Sequence, residues 1–213
     1  MSLVILTAGL AGAILPWIHE HVYRQEITQV KKDFFRTPVD AEGLYALLQA
    51  ENERIVATGQ AGQMVANSYE QPAVDLAKYG IENNCVAFIS IPSIDVELPV
   101  YLGASKENLL KGAVHLTETS YPIGGMNTNS VIAAHRGHTL RLFREIHKIQ
   151  IGDEIIVTNF RETLTYRAAE IKIIRPTDTQ EVRIRLGRDM VTLFSCHPMW
   201  SEARRYVVYC ERA

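Results

Sequence analysis

The chain has 213 residues, 47% hydrophobic and 22% charged, a balance that excludes wholesale disorder and suits one medium domain with a short appendage. Its 22 Lys and Arg against 24 Asp and Glu give a net charge of -2 with no long single-sign run. That sets aside a nucleic-acid binder held by phosphate contacts. Three cysteines, Cys85, Cys196 and Cys210, show no CxxC spacing, so neither a zinc ribbon nor a disulfide framework is expected, and at least one thiol stays free in the monomer.

At the N-terminus, Leu3 to Ile18 is apolar throughout, slightly short of the ~20 residues that a full membrane span needs. It lacks the basic start of a signal peptide, and Trp17 sits where an interfacial anchor would. The expectation for residues 1–18 is therefore a truncated N-terminal membrane anchor. Residues 19–36 read as a helix, with Val22, Ile27, Val30 and Phe34 at helical spacing and Thr37-Pro38 as the break. His19 and His21 stand two apart and do not share a helix face, so they suggest no metal site.

Asp40 then caps a second helix carrying Leu44, Leu47, Leu48 and Ile55 on one stripe, ended by Thr58 to Gly62. Residues 19–62 thus read as a helical extension. Residues 63–80 show no clear period and contain Tyr69-Glu-Gln-Pro72, so they read as a connecting loop with room for one helical turn.

From Cys85 the texture changes to short β-rich runs bounded by Pro and Gly, at residues 85–91, 96–101, 129–134, 153–158, 164–174, 190–195 and 206–210. Lys106 to Lys111 and Leu140 to His147 read as short helices between them. Short strands with brief connections suggest a closed or nearly closed β-barrel over residues 81–213, mainly β, with helices before it.

Two segments carry candidate chemistry. In Val191-Thr-Leu-Phe-Ser-Cys196-His-Pro198 a strand stops at Cys196, where a barrel enzyme presents reactive groups, and Pro198 prevents simple continuation. Arg204-Arg205 opens the next strand. If the two strands pair, one arginine comes near the thiol, favouring thiolate and able to stabilise an oxyanion. Adjacent strand residues face opposite ways, so only one of the two serves the site, and spacing favours Arg205.

In Val131-Ile-Ala-Ala-His135-Arg-Gly-His138 a second apolar strand runs into His135, a candidate general acid/base. Cysteine, histidine and arginine at three strand ends make a cysteine acyl-transfer constellation if the fold brings them together. His115 reads as a structural hydrogen-bonding histidine or a supporting group, His138 and His197 as solvated loop histidines, and Thr192 as inward packing. Cys85 and Cys210 read as small buried residues.

Thr192-Leu-Phe-Ser-Cys196, with Arg205 at the matching spacing, resembles the sortase signature Thr-Leu-x-Thr-Cys, and Ala134-His135-Arg136-Gly137 resembles that family's histidine motif. Ile91 to Gly103, Gly112 to Leu116 and Tyr121 to Ser130 are similar to further parts of the barrel, so the resemblance covers about residues 85 to 212. The helical extension points to class C, the pilin-polymerising sortases.

The resemblance implies a closed β-barrel of about eight strands preceded by N-terminal helices. It implies a cysteine transpeptidase on the outer face of a Gram-positive membrane, held by its N-terminal anchor. Cys196 would attack the Thr–Gly bond of an LPxTG-like sorting signal, and His135 would protonate the leaving amine. Arg205 would stabilise the oxyanion, and a lysine of the next pilin would resolve the thioester as an isopeptide bond. Ser195, Thr192 and His115 would support substrate binding. No metal or organic cofactor is implied.

Three features depart from the pattern. Ser195 replaces the signature threonine and keeps its hydroxyl. No Asp-Pro pair is present for the usual class C lid, so residues 63–80 either cover the site differently, as a lid through Tyr69, or leave it open. The chain ends at Ala213 without a second apolar segment. Two competing readings are a sortase of another class that anchors proteins to cell-wall peptidoglycan, and a non-enzymatic surface scaffold or adhesion domain with an unreactive Cys196.

Overall fold

The computed structural model describes residues 2–60, 69–137 and 140–213, except for the side chains of residues 2–14 and 16. Helix α1 runs unbroken from Ser2 to Arg36, so the helix expected from residue 19 continues through the apolar stretch. Most side chains of the expected anchor lie outside the described residues. Among those described, no helix is long and apolar enough to cross a membrane.

The buried stripe of α1 is Tyr23 and Ile27, with Val30 and Phe34 packed beside them, a 4-3-4 spacing that keeps one helix face on the barrel. Val22, expected in this stripe, is exposed, because Tyr23 occupies the position that faces inward. The Tyr23 hydroxyl donates to the Lys111 carbonyl at 2.9 Å, Arg24 pairs with Asp95, and Lys31 pairs with Glu97. These contacts lay α1 along the second barrel strand.

Helix α2 spans Ala41–Ala57. Its cap is Asp40, whose carboxylate accepts from the Gly43 amide, and it buries Leu44, Leu48, Asn52 and Ile55. Asn52 Oδ1 accepts from the Tyr121 amide at 2.7 Å, a buried tether between helix and barrel. After the undescribed residues 61–68, a single 3-10 turn covers Leu76–Tyr79.

Eight strands close the barrel: β1 Cys85–Ile91, β2 Val96–Leu102, β3 Ala113–His115, β4 Thr128–Ala133, β5 Glu154–Asn159, β6 Thr163–Ile174, β7 Asp189–His197 and β8 Arg204–Arg212. Their order around the barrel is β1-β2-β3-β4-β7-β8-β6-β5, with β2–β3 and β4–β7 parallel and the rest antiparallel. Closure removes every sheet edge. Helix α3, Lys106–Lys111, is capped by Ser105 and supplies the crossover between the parallel strands β2 and β3. The helix expected over Leu140 to His147 is instead a series of turns ending in a 3-10 turn at Ile146–Lys148.

Alternation along β7 divides its side chains between the barrel core and the outer surface. Val191 and Leu193 enter the barrel core with Val208 and Cys210 of β8, and with Ile132 and Ala134 at the end of β4. Met190 and Phe194 face outward, packed with Val207 and Tyr209 on one side and with Ala104, Val114 and Ala133 on the other. The outer face of β3, β4, β7 and β8 is therefore a continuous apolar floor.

Candidate active site

Cys196 lies one step beyond Phe194 on that outer face. The β7–β8 register places Arg205 directly opposite it, and Arg204 opposite His197. Neighbours in an antiparallel pair stand about 5 Å apart between Cα atoms. The parallel β4–β7 register pairs Ala133 with Phe194, and the Ala134 amide still donates to the Phe194 carbonyl. Continuing this register by two residues would align His135 with Cys196 and Arg205 in one row, and all three residues are half-buried.

Ser195 points the other way and is buried. Its hydroxyl donates to the Ala134 carbonyl at 2.7 Å, joining the residue before Cys196 to the residue before His135. This bond holds the two strand ends in register where the β4 ladder finishes.

Arg205 Nη1 donates to the carbonyls of Glu202 and Arg204, and its guanidinium sits 5.9 Å from the Phe194 ring centroid. The loop backbone and the apolar floor thereby hold the cation beside the thiol. Burial nevertheless pushes the Cys196 thiol above its ordinary value. Arg205 pulls it down, Glu202 adds to the rise, and Arg136 pulls it down again. Burial thus favours the protonated thiol, so a base that takes its proton assists attack.

Thr192 is buried on the outer face, two positions from Phe194, and not in the barrel core as expected. Its hydroxyl donates to Asn129 Oδ1 at 2.7 Å, while Asn129 Nδ2 donates to the Val182 and Arg183 carbonyls. The pair fastens the β6–β7 connection over the lower end of the floor.

His115 faces the barrel interior, away from the row, as its neighbour Val114 faces out. Fully buried, it stacks on Tyr121 and contacts Thr119 Oγ1 and the Thr119 and Ser120 carbonyls. Burial lowers its pKa to about 4, and the bonds to Ser120 and Thr119 only partly offset this.

Tyr69 has an exposed ring, and its carbonyl accepts from the Ala104 amide. The Gln71 carbonyl next to it accepts from Thr117 Oγ1. The remainder of the lid-like segment, residues 63–68, lies outside the described residues, as does His138.

Two neighbours of the row, both within the histidine motif, were given no site role from sequence. Arg136 is buried, and its Nη1 donates to His197 Nδ1 at 2.8 Å. His197 is accordingly part of β7 and tied to the strand end, not a solvated loop residue. Gly137 faces Trp200 so closely that a Cβ there would fall 2.8 Å from the Trp200 nitrogen. The signal for both was their place in the Ala134-His135-Arg136-Gly137 motif. Among the described residues no group of three or more His, Cys, Asp or Glu side chains is placed to hold a metal.

The sortase-domain family model matches residues 89–213. Sortase D of Bacillus subtilis is 27% identical over 127 residues, 58% of this chain, which spans 62% of that relative's length. Sortase A of Bacillus anthracis is 30% identical over 146 residues, covering 67% of this chain and 68% of its own. A pilus-related sortase C of Group B Streptococcus superposes with a TM-score of 0.63 at 33% identity, over 78% of this chain and 90% of that one. The chain belongs to the sortase family of cysteine transpeptidases.

Proposed function

We propose that the chain is a class C sortase that cleaves an LPxTG-like sorting signal and joins pilin subunits through lysine isopeptide bonds. The observation that carries this reading is the pairing of Cys196 with Arg205 across β7 and β8, with His135 two residues past the end of the strand that runs parallel to β7. The apolar floor beneath it suits the apolar part of an extended peptide. The similarity to the pilus-related sortase C of Group B Streptococcus supports the class.

In this mechanism Cys196 Sγ adds to the Thr–Gly carbonyl carbon while His135 takes the thiol proton. Arg205 faces the oxygen on which charge develops. The C–N bond then breaks, and His135 returns the proton to the departing glycine amine, leaving a thioester on Cys196. A lysine ε-amine of a second pilin, deprotonated by His135, attacks the thioester. The thiolate leaves and is reprotonated, and an amide replaces the thioester. The substrate proteins stand outside the cell membrane of a Gram-positive bacterium, where an N-terminal anchor would hold the enzyme.

A second reading has support in the names of the sequence relatives, sortases A and D. In it the same acyl-enzyme is resolved by an amine of cell-wall peptidoglycan. Intact-protein mass spectrometry after incubation with LPxTG-type peptides tests the chemistry, with released product assayed alongside. The expected result is an acyl-fragment mass gain in wild type and none in Cys196→Ala. Adding a lysine-bearing pilin peptide or a peptidoglycan stem peptide to the acyl-enzyme then decides the acceptor. Neither adduct nor cleavage across several sorting motifs refutes both readings.

A further inference from the structure

The segment after His135 grips the segment after Cys196. Besides its 2.8 Å bond to His197 Nδ1, Arg136 reaches the Cys196 carbonyl through Nη1 and the Arg144 carbonyl through Nε, both at 3.4 Å. Its guanidinium also lies 5.5 Å from the Tyr206 ring centroid. Guanidinium donates and never accepts, so His197 Nδ1 must offer its lone pair, and the ring is held neutral with its proton on Nε2. The next residue completes the grip, since only glycine at 137 lets Trp200 approach.

A buried cation normally takes a carboxylate partner. Among the described residues, the contacts of Arg136 are instead two carbonyl oxygens, an imidazole lone pair and an aromatic face. Its fork is thereby committed to the strand end that carries the thiol.

We propose that Arg136 is a positioning residue: from the position next to His135 it holds the Cys196 carbonyl and the His197 ring, and so fixes the thiol relative to the imidazole. This rests on the roles of Cys196 and His135 proposed above. A lysine cannot replace it, because one ammonium cannot span three acceptors in different directions. The clamp persists at neutral pH. Among the described residues, Arg136, Arg204, His147 and Tyr206 face His197, and burial, followed by the Arg136 and Arg204 charges, keeps the ring's pKa below its usual value.

The test uses the full chain with an LPxTG-type peptide, comparing wild type, Arg136→Lys, Arg136→Gln and Cys196→Ala. Thermal unfolding is followed in parallel, along with the pH dependence of iodoacetamide alkylation at Cys196. Both Arg136 variants are expected to lose at least tenfold in kcat with KM within about twofold, a loss expected of misaligned reacting groups. Arg136→Gln also moves the alkylation midpoint to higher pH, whereas Arg136→Lys, which keeps the cation, does not. This arm needs no substrate.

Wild-type kcat in either folded Arg136 variant, with Cys196→Ala inactive, overturns the inference and leaves the site reading standing. So does an unmoved alkylation midpoint in Arg136→Gln. Cleavage retained by Cys196→Ala instead overturns the site reading, and the inference with it. If an Arg136 variant fails to fold, His197→Phe decides, since it keeps the guanidinium and deletes the acceptor, and unchanged kcat there refutes the clamp.

Discussion

The Ser195 hydroxyl is the smallest group whose removal should disturb both strand ends of the site. Ser195→Ala deletes a 2.7 Å bond to the Ala134 carbonyl at a position 2% exposed. A hydrogen bond contributes about 1 kcal/mol net, and a buried carbonyl that loses its partner costs ~1–3 kcal/mol. We expect a loss near ~2 kcal/mol, which in a chain of this size lowers Tm by roughly 4–8 °C.

The bond lies between the residue before Cys196 and the residue before His135, so turnover should fall as well. Ser195→Thr keeps the hydroxyl and should retain the rate. Urea unfolding by circular dichroism and initial rates of peptide cleavage read the two effects. Stability within about 0.5 kcal/mol of wild type, together with an unchanged rate for Ser195→Ala, would show that the hydroxyl does not hold the register.

Native alkylation should modify a single cysteine. Cys196 is half-buried, whereas Cys85 and Cys210 are buried in the core, with burial pushing the Cys85 thiol up to about 12 and raising Cys210 as well. Peptide mapping that finds label on Cys85 or Cys210 at a comparable rate contradicts this. His115 should make the fold acid-sensitive: its pKa falls from 6.5 to about 4 on folding, so the unfolded chain binds more protons in that window. Stability present above pH 6.5 is lost as pH falls toward 4, by about 2 kcal/mol at pH 5. Urea midpoints at pH 7 and pH 5 should converge in His115→Gln, and an equal slope in variant and wild type assigns the loss elsewhere.

How far the site is legible in the sequence depends on how each residue reaches it. Cys196 and Arg205 belong to consecutive strands joined by a short loop, so strand ends and spacing alone place them opposite each other, as the β7–β8 register does. His135 arrives through the parallel β4–β7 pairing across some 60 residues, and neither alternation nor turn chemistry encodes such a pairing. Strand β3 is three residues long, too short to show a period, yet it completes the barrel.

Thr192 fell on the wrong face for a related reason. Apolar neighbours line both sides of β7, because the outer face is covered by the β6–β7 connection, and alternation carries no inside-out signal when both faces are buried. Arg136 was invisible for the opposite cause. A charge after a strand end reads as solvated, and only the packed fold shows a guanidinium spent on a carbonyl and an imidazole beside the nucleophile. Residue types locate the reacting atoms, but the groups that aim them are recognisable only by the acceptors that the fold gives them.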